Sequence, residues 1–201
     1  VTQFQFVGSV ERISERYLLP VLEALLEAFP FTVHGFHADN GSEYINHRVA
    51  GLLSKLHIQE FTKSRARRTN DNARVESKNG SVVRKHLGYA HIPSRYAVQV
   101  NRFTQHVLSP YLNFHRPCFF PIEQVDAQGR VRKHYRYDQM MTPYDKLRSL
   151  PDAQQYLKPG TTFEHLDALA FAISDNASAQ RLNQARAELF RTINHTQTPA
   201  A

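Results

Sequence analysis

The chain has 201 residues, a net charge of +7 and a pI of about 9.7, with 41% apolar residues and a single cysteine, Cys118. That length and apolar content suit one sizeable domain, or one domain with an appendage, around a packed core. No stretch approaches the ~20 apolar residues of a membrane span, and no charged leader precedes an apolar run. One cysteine excludes an internal disulfide and a cysteine-rich zinc site. The expected setting is cytoplasmic and reduced, and the basic balance favours an anionic partner.

Thr2–Val7 alternates apolar and polar residues with period two, as a half-buried strand does. Ser14 is a candidate N-cap for a helix to Phe29, with Pro20 inside it and Pro30 ending it. Phe31–Phe36 reads as a second strand, which delivers Asp39 at its C-terminal end. Val49–Leu56 reads as a short helix and Ile58–Phe61 as a short strand. A basic loop and then a helix over 72–86 follow, capped by Asp71 or Asn72. Gly80 inside that helix marks either close packing or a weak point.

A further helix is expected over Tyr96–Phe114, broken by Pro110 and closed by His115-Arg116-Pro117. From Phe119 the character changes, and Arg130–Tyr137 alternates basic with apolar or aromatic residues, as an exposed strand would. Thr161-Thr162-Phe163-Glu164 has capping-box spacing. Asp175 is a candidate cap for a last helix, whose apolar stripe is Ala179, Leu182, Ala185, Leu189 and Ile193.

Two acidic positions stand out. Asp39 follows an apolar strand and precedes Asn40-Gly41, and Glu76 lies on the expected helix within Asn70–Gly80. Carboxylates brought together from a strand end and a helix suit hard divalent cations, which prefer oxygen ligands. Between Thr62 and His86 stand Lys63, Arg65, Arg67, Arg68, Arg74, Lys78, Arg84 and Lys85 against Asp71 and Glu76, nearly the whole net charge. Such a run suits a phosphate backbone and would bind it without reading bases. Taken alone, Asp39 reads as a turn residue, Glu76 can be an ordinary exposed helix acid, and the basic run reads equally as a solvated loop. Glu43 and Asp71 read as capping or surface residues. His34 and His37, at i and i+3 but without cysteine partners, read as packing or hydrogen-bonding residues.

The stretches His37-Ala38-Asp39-Asn40-Gly41-Ser42-Glu43-Tyr44, Asn70–Gly80 and Asn113-Phe114-His115-Arg116-Pro117 resemble the catalytic core of DDE insertion-sequence transposases and retroviral-type integrases. The resemblance covers about Val1–Pro117 and weakens beyond Pro121. It implies an α/β, ribonuclease-H-like core over residues 1–118, a basic connector over 119–150 and a helical C-terminal region over 151–201. It further implies two Mg²⁺ (or Mn²⁺) ions held by three carboxylates, one activating a nucleophilic oxygen and the other stabilising the leaving oxygen. Asp39 resembles the second carboxylate and Glu76 the third, while Lys63, Arg65, Arg67, Arg68, Arg74, Lys78 and Lys85 become DNA contacts.

The first carboxylate has no counterpart, because no Asp or Glu precedes Glu11. The family's first two strands, which belong in the middle of its sheet, have no counterpart either, and with no Met at Val1 an upstream segment is expected. The implied function is metal-dependent DNA strand transfer, incomplete in this chain alone. The alternative is a non-catalytic DNA-binding remnant that modulates an intact transposase. Both imply DNA as partner, a homo-oligomer and a cytoplasmic, nucleoid-associated location.

Overall fold

The computed structural model describes residues 1–38, 43–63 and 79–195, the side chains of 38, 43–46, 48, 61 and 63 apart. Helix α1, Glu15–Glu27, starts after Ser14, whose extended backbone is that of an N-cap although its side chain makes no capping bond. Pro20 lies inside the helix, where its missing N–H removes one i→i−4 bond. At the other end the Lys158 ammonium donates to the carbonyls of Leu26 (2.9 Å) and Glu27 (3.0 Å). It thereby satisfies two last-turn acceptors that the helix itself cannot pair. Burial there holds the Lys158 pKa below its ordinary value.

The expected strand Phe31–Phe36 divides in two. Phe31 bridges Leu157 antiparallel, with Thr32 N–H donating to the Tyr156 carbonyl at 2.9 Å. The strand proper, β1, is Gly35–Ala38. Helix α2, Glu43–Lys55, is longer than the expected Val49–Leu56 and leads to β2, Glu60–Lys63. The two strands pair in parallel, Gly35 opposite Glu60 through Ala38 opposite Lys63. Leu26, Val49, Leu53 and Ile58 form the core beneath them, packed by Leu18, Leu22, Val33 and Phe36.

Thr2–Val7 is not a strand. Gln3 has φ 60°, which interrupts an extended run, and among the described residues no strand pairs with the segment. Two asparagine side chains hold it instead. Asn113 donates through Nδ2 to the Gln5 carbonyl (3.0 Å) and accepts the Gln5 N–H at Oδ1 (2.9 Å). Asn101 does the same for Ser9, at 2.9 and 2.7 Å. Phe4 stands edge-on to Phe31 and Phe114, and Phe6 edge-on to Phe29.

Both asparagines sit on a helical run that opens with a 3₁₀ turn, Ser94–Tyr96, and continues as α4, Ala97–Phe103. It runs on through π-helical Thr104–Leu108 and Tyr111–His115. Pro110 does not break it: the proline backbone, φ −56° and ψ −48°, is helical, and it lies between the two wide turns. In pure α-helix the interval from Asn101 to Asn113 advances about 1200°, which leaves the two about a third of a turn apart. Wide turns of roughly 4.4 residues, as i→i+5 bonding implies, take back about that much and bring both onto one face.

Upstream, π-helical Asn79–Arg84 runs into α3, Lys85–Leu87, which ends at Gly88 with φ 78°. This matches the end of the expected helix over 72–86; its beginning lies outside the described residues. Packing against the described residues does not explain Gly80, since a Cβ there meets none of them within 4 Å. At Gly8, by contrast, a Cβ would lie 2.7 Å from Val21 and 2.9 Å from Leu25.

The strip over Arg130–Tyr137 does contain an exposed strand. It is β4, Val131–His134, paired antiparallel with β3, Ile122–Val125. Asp126 ties the hairpin turn by accepting from Gln128 and Arg130 N–H. Helix α5, Pro143–Arg148, carries a full capping box between Thr142 and Asp145, one that the sequence pattern did not bring out. Helix α6, Phe163–Ala170, is capped by Thr162 onto His165 N–H, so Thr161 and Glu164 do not form the expected box.

Helix α7, Asp175–His195, is capped by the Ser174 hydroxyl rather than by Asp175. The Asp175 carboxylate instead accepts from His115 Nδ1 at 3.0 Å. The α7 stripe is buried as expected at Leu182, Leu189 and Ile193, with Ser178 rather than Ala179 deepest at its start. It joins Val82, Leu87, Tyr96, Val100, Phe103, Leu108 and Leu112 in one core. A second core gathers Tyr144, Leu147, Leu157 and Leu166, with Phe4, Phe31 and Phe114 packed against it. The Tyr144 hydroxyl, its pKa raised by burial, donates to Asp167 at 2.6 Å.

Replacing Asn113 by Leu leaves the Gln5 N–H and carbonyl without partners and costs about 2–4 kcal/mol. Urea unfolding reads this as a lower midpoint, and hydrogen exchange as a faster Gln5 amide. The two glycines separate in sign. Gly80→Ala raises stability by about 0.5–1 kcal/mol, whereas Gly8→Ala lowers it by about 1–3 kcal/mol, because β-branched Val21 cannot swing clear.

Candidate functional site

Parallel pairing sets the geometry. Because β1 and β2 end in register at Ala38 and Lys63, the chain leaves both strands from one edge. It continues into Asp39 after β1 and into Ser64-Arg65 after β2. The carboxyl end of parallel strands is where open α/β folds place their ligands. Across the pair, His37 Nδ1 and Thr62 Oγ1 are hydrogen-bonded at 2.8 Å, one residue before that edge. The expectation of an ordinary hydrogen-bonding role for His37 holds in that bond. The His34 backbone carbonyl accepts from Gln59 and Glu60 N–H, which closes the other end of the pair.

Most predicted site residues fall beyond what is described. Asp39, Glu76, Arg65, Arg67, Arg68, Arg74 and Lys78 lie outside the described residues, and so does Asp71. Lys63 is the last residue of β2, its side chain likewise outside them. Lys85 alone is fully placed, exposed at the start of α3. Among the described residues no group of three His, Cys, Asp or Glu side chains could hold a metal ion. Two carboxylates, Asp39 and Glu76, would be the donor set, and oxygen donors of that kind fit Mg²⁺.

The basic strip of the hairpin is partly neutralised. Arg132 Nε meets Asp126 at 3.1 Å, and Arg136 pairs with Asp138 through two nitrogens. That arginine holds the Asp138 carboxyl below its ordinary range. Tyr135 and Tyr137 stay exposed, edge-on to Phe119.

The motif Asn113–Pro117 carries structural duties. Asn113 is 1% exposed and clamps Gln5, while buried His115 bonds Asp175. Arg116 has its Nη1 buried without a hydrogen-bond partner among the described residues. Next to Lys85 the His86 ring is also buried, 5% exposed, with neither nitrogen bonded to any of the described residues. Burial first, then Arg116, Lys85 and Arg186, push its pKa down to about 4. Sequence reasoning missed this group, because a histidine at the end of a basic run looks like one more exposed cation.

The architecture defines a mixed α/β protein, mainly helical, with a parallel strand pair and a separate antiparallel hairpin. No helix among the described residues is long and apolar enough to cross a membrane. No protein-family model matches the chain, and no solved structure does. The uncharacterized protein y4rM of Sinorhizobium fredii (strain NBRC 101917 / NGR234) is 36% identical over 118 residues, 57% of this chain and 33% of that protein. The chain thus matches about a third of the length of that relative.

The buried histidine sets an acid limit. With a folded pKa of about 4 against an ordinary 6.5, the unfolded chain binds a proton between those values and the folded chain does not. The contribution is therefore complete above pH 6.5, falls by roughly 3 kcal/mol as pH drops towards 4, and is level below. Urea midpoints across that window should fall for the native chain, with a shallower slope in His86→Leu.

Proposed function

We propose that this chain is part of a DDE-type DNA strand transferase with a ribonuclease-H-like core, to which Asp39 and Glu76 contribute two of three metal-binding carboxylates. The observation that carries the reading is the parallel pair ending in register at Ala38 and Lys63. From that edge the sequence continues into Asp39-Asn40-Gly41 after one strand and into the arginine-rich run after the other. A phosphodiester needs both at once, carboxylates for the metal beside the scissile bond and cations for the flanking phosphates.

Asp39, which directly follows β1 in the sequence, would hold one side of the metal site, and Glu76 would close it. Mg²⁺, when bound there, supplies Lewis-acid stabilisation of the reacting phosphoryl group. Arg65, Arg67, Arg68, Arg74, Lys63, Lys78 and Lys85 would neutralise phosphates without reading bases. A homo-oligomer follows from the need to act on two DNA ends. The second reading, a non-catalytic DNA-binding remnant, draws on the basic run from Lys63 to Lys85, which would hold phosphates without any metal site.

The deciding experiment is Mg²⁺- or Mn²⁺-dependent nicking and strand transfer on duplex DNA, with this chain beside a version extended upstream to carry a further Asp. Cleavage by the extended version, abolished in Asp39→Asn and in Glu76→Gln with DNA binding kept, is the expected result. Activity that survives either substitution removes that residue from the site. Binding by both versions without cleavage by either favours the remnant. Replacing Arg65, Arg67 and Arg68 by Ala should weaken binding to every sequence alike and lower its salt slope by roughly 1 for each phosphate no longer neutralised. A loss confined to one sequence contradicts the backbone role.

A further inference from the structure

Among the described residues, buried side-chain atoms without a hydrogen-bond partner are both His86 ring nitrogens, Arg116 Nη1 and Ser109 Oγ. Folded proteins leave few such atoms, and each asks for an explanation. All but the serine belong to one neighbourhood. His86, in α3, stands edge-on to Tyr111 with ring centroids 6.4 Å apart. Arg116 directly follows the π-helical turn that carries Tyr111.

Arg186 lies on α7 between Leu182 and Leu189, which share a core with Val82, Leu87 and Leu112. Three elements therefore converge on the imidazole. Among the described residues, the charges that act on it are Arg116, Lys85 and Arg186, all cations. The arginines are half-buried and Lys85 is exposed.

Cations gathered around unpartnered buried donors are short of an acceptor with several oxygens and negative charge. A hydrophobic or cationic occupant would leave these donors unsatisfied and the repulsion in place. Guanidinium groups match the oxygens of phosphate, and a neutral imidazole adds one N–H donor. We propose that Arg116, Arg186, Lys85 and His86 form a binding site for a phosphate group, either inorganic phosphate or a phosphodiester of a nucleic acid. The site does not depend on Asp39 or Glu76, and it stands or falls separately from strand transfer.

The test is thermal unfolding of the whole chain in sodium phosphate against sodium chloride at equal ionic strength and pH 7, repeated with a short DNA duplex in low salt. The imidazole of His86 is followed by NMR in the same buffers. Phosphate should raise the melting temperature and move the His86 pKa upward from about 4, because a bound anion favours the imidazolium. Both effects should vanish in Arg186→Gln and in Arg116→Gln and persist in Lys133→Gln, whose side chain lies on the exposed hairpin.

If Arg116→Gln does not fold, Arg186→Gln carries the comparison. Protection by the duplex but not by inorganic phosphate, abolished by the same arginine substitutions, identifies the phosphate as a nucleic-acid backbone. The proposal is overturned by equal melting in phosphate and chloride with no effect of DNA. A phosphate effect that survives both arginine substitutions overturns it as well.

Discussion

The two-way hydrogen bonding between the Asn113 side chain and the Gln5 backbone is the constraint on which the rest of the molecule leans. A primary amide offers one donor and one acceptor in the arrangement that a neighbouring strand would offer, so it can replace one rung of a β-ladder. Asn101 repeats the device at Ser9. With residues 5 and 9 fixed, Phe4 reaches the cluster around Tyr144 and Phe31, and Gly8 comes down on Val21 and Leu25 of α1. Val7, between them, packs against the core of α4 and α7. The N-terminal segment thus ties these three parts of the molecule together. The clamp works because the wide turns at Thr104–Leu108 and Tyr111–His115 rotate both asparagines to one side.

That dependence explains which parts of the fold could be read in advance. Helix positions were legible where an apolar stripe and a cap coincide, as in α1 after Ser14 and α7 through Leu182, Leu189 and Ile193. The exposed strand within Arg130–Tyr137 was legible because its alternation meets no competing core. Thr2–Val7 has equally good alternation and is not a strand, since period two records only that one face is buried. It does not say whether a strand or a helix surface covers that face. Pro110 misled for a related reason: its rule assumes an α-helix, and the run around it is π-helical. At Asp175 the cap was displaced by one residue, because His115, sixty positions away, recruits its carboxylate.

The site was legible to a smaller degree. Strand order and parallel register, which the sequence does not state, give Asp39 and the arginine run a common point of departure. Alternation and charge could suggest each piece but not that the strands leading into them pair in parallel. The opposite failure occurs at His86, where a basic stretch hides a buried neutral ring. Its only sequence signal is position: it follows Val82 and Val83 by four and three residues, the spacing of an inward face. Arg116 was read as part of a helix terminator, and its buried Nη1 could not be seen until α3 and α7 were placed around it.

A two-stranded parallel sheet is a weak object by itself, because parallel strands are normally buried on both faces and belong to larger sheets. Here four residue pairs hold it, and what keeps them in register is the packing of α1 and α2 around Leu53 and Ile58. The hydrogen bond of His37 with Thr62 lies at the penultimate pair, one residue before Ala38 and Lys63 end the two strands. Any chemistry at that edge therefore inherits its precision from side chains that never touch a ligand. Leu53 is 1% exposed and Val49 3%, so truncating either would loosen the pair and shift the start of both following segments together. The direction in which the chain leaves this edge is thus a property of the α1–α2 core.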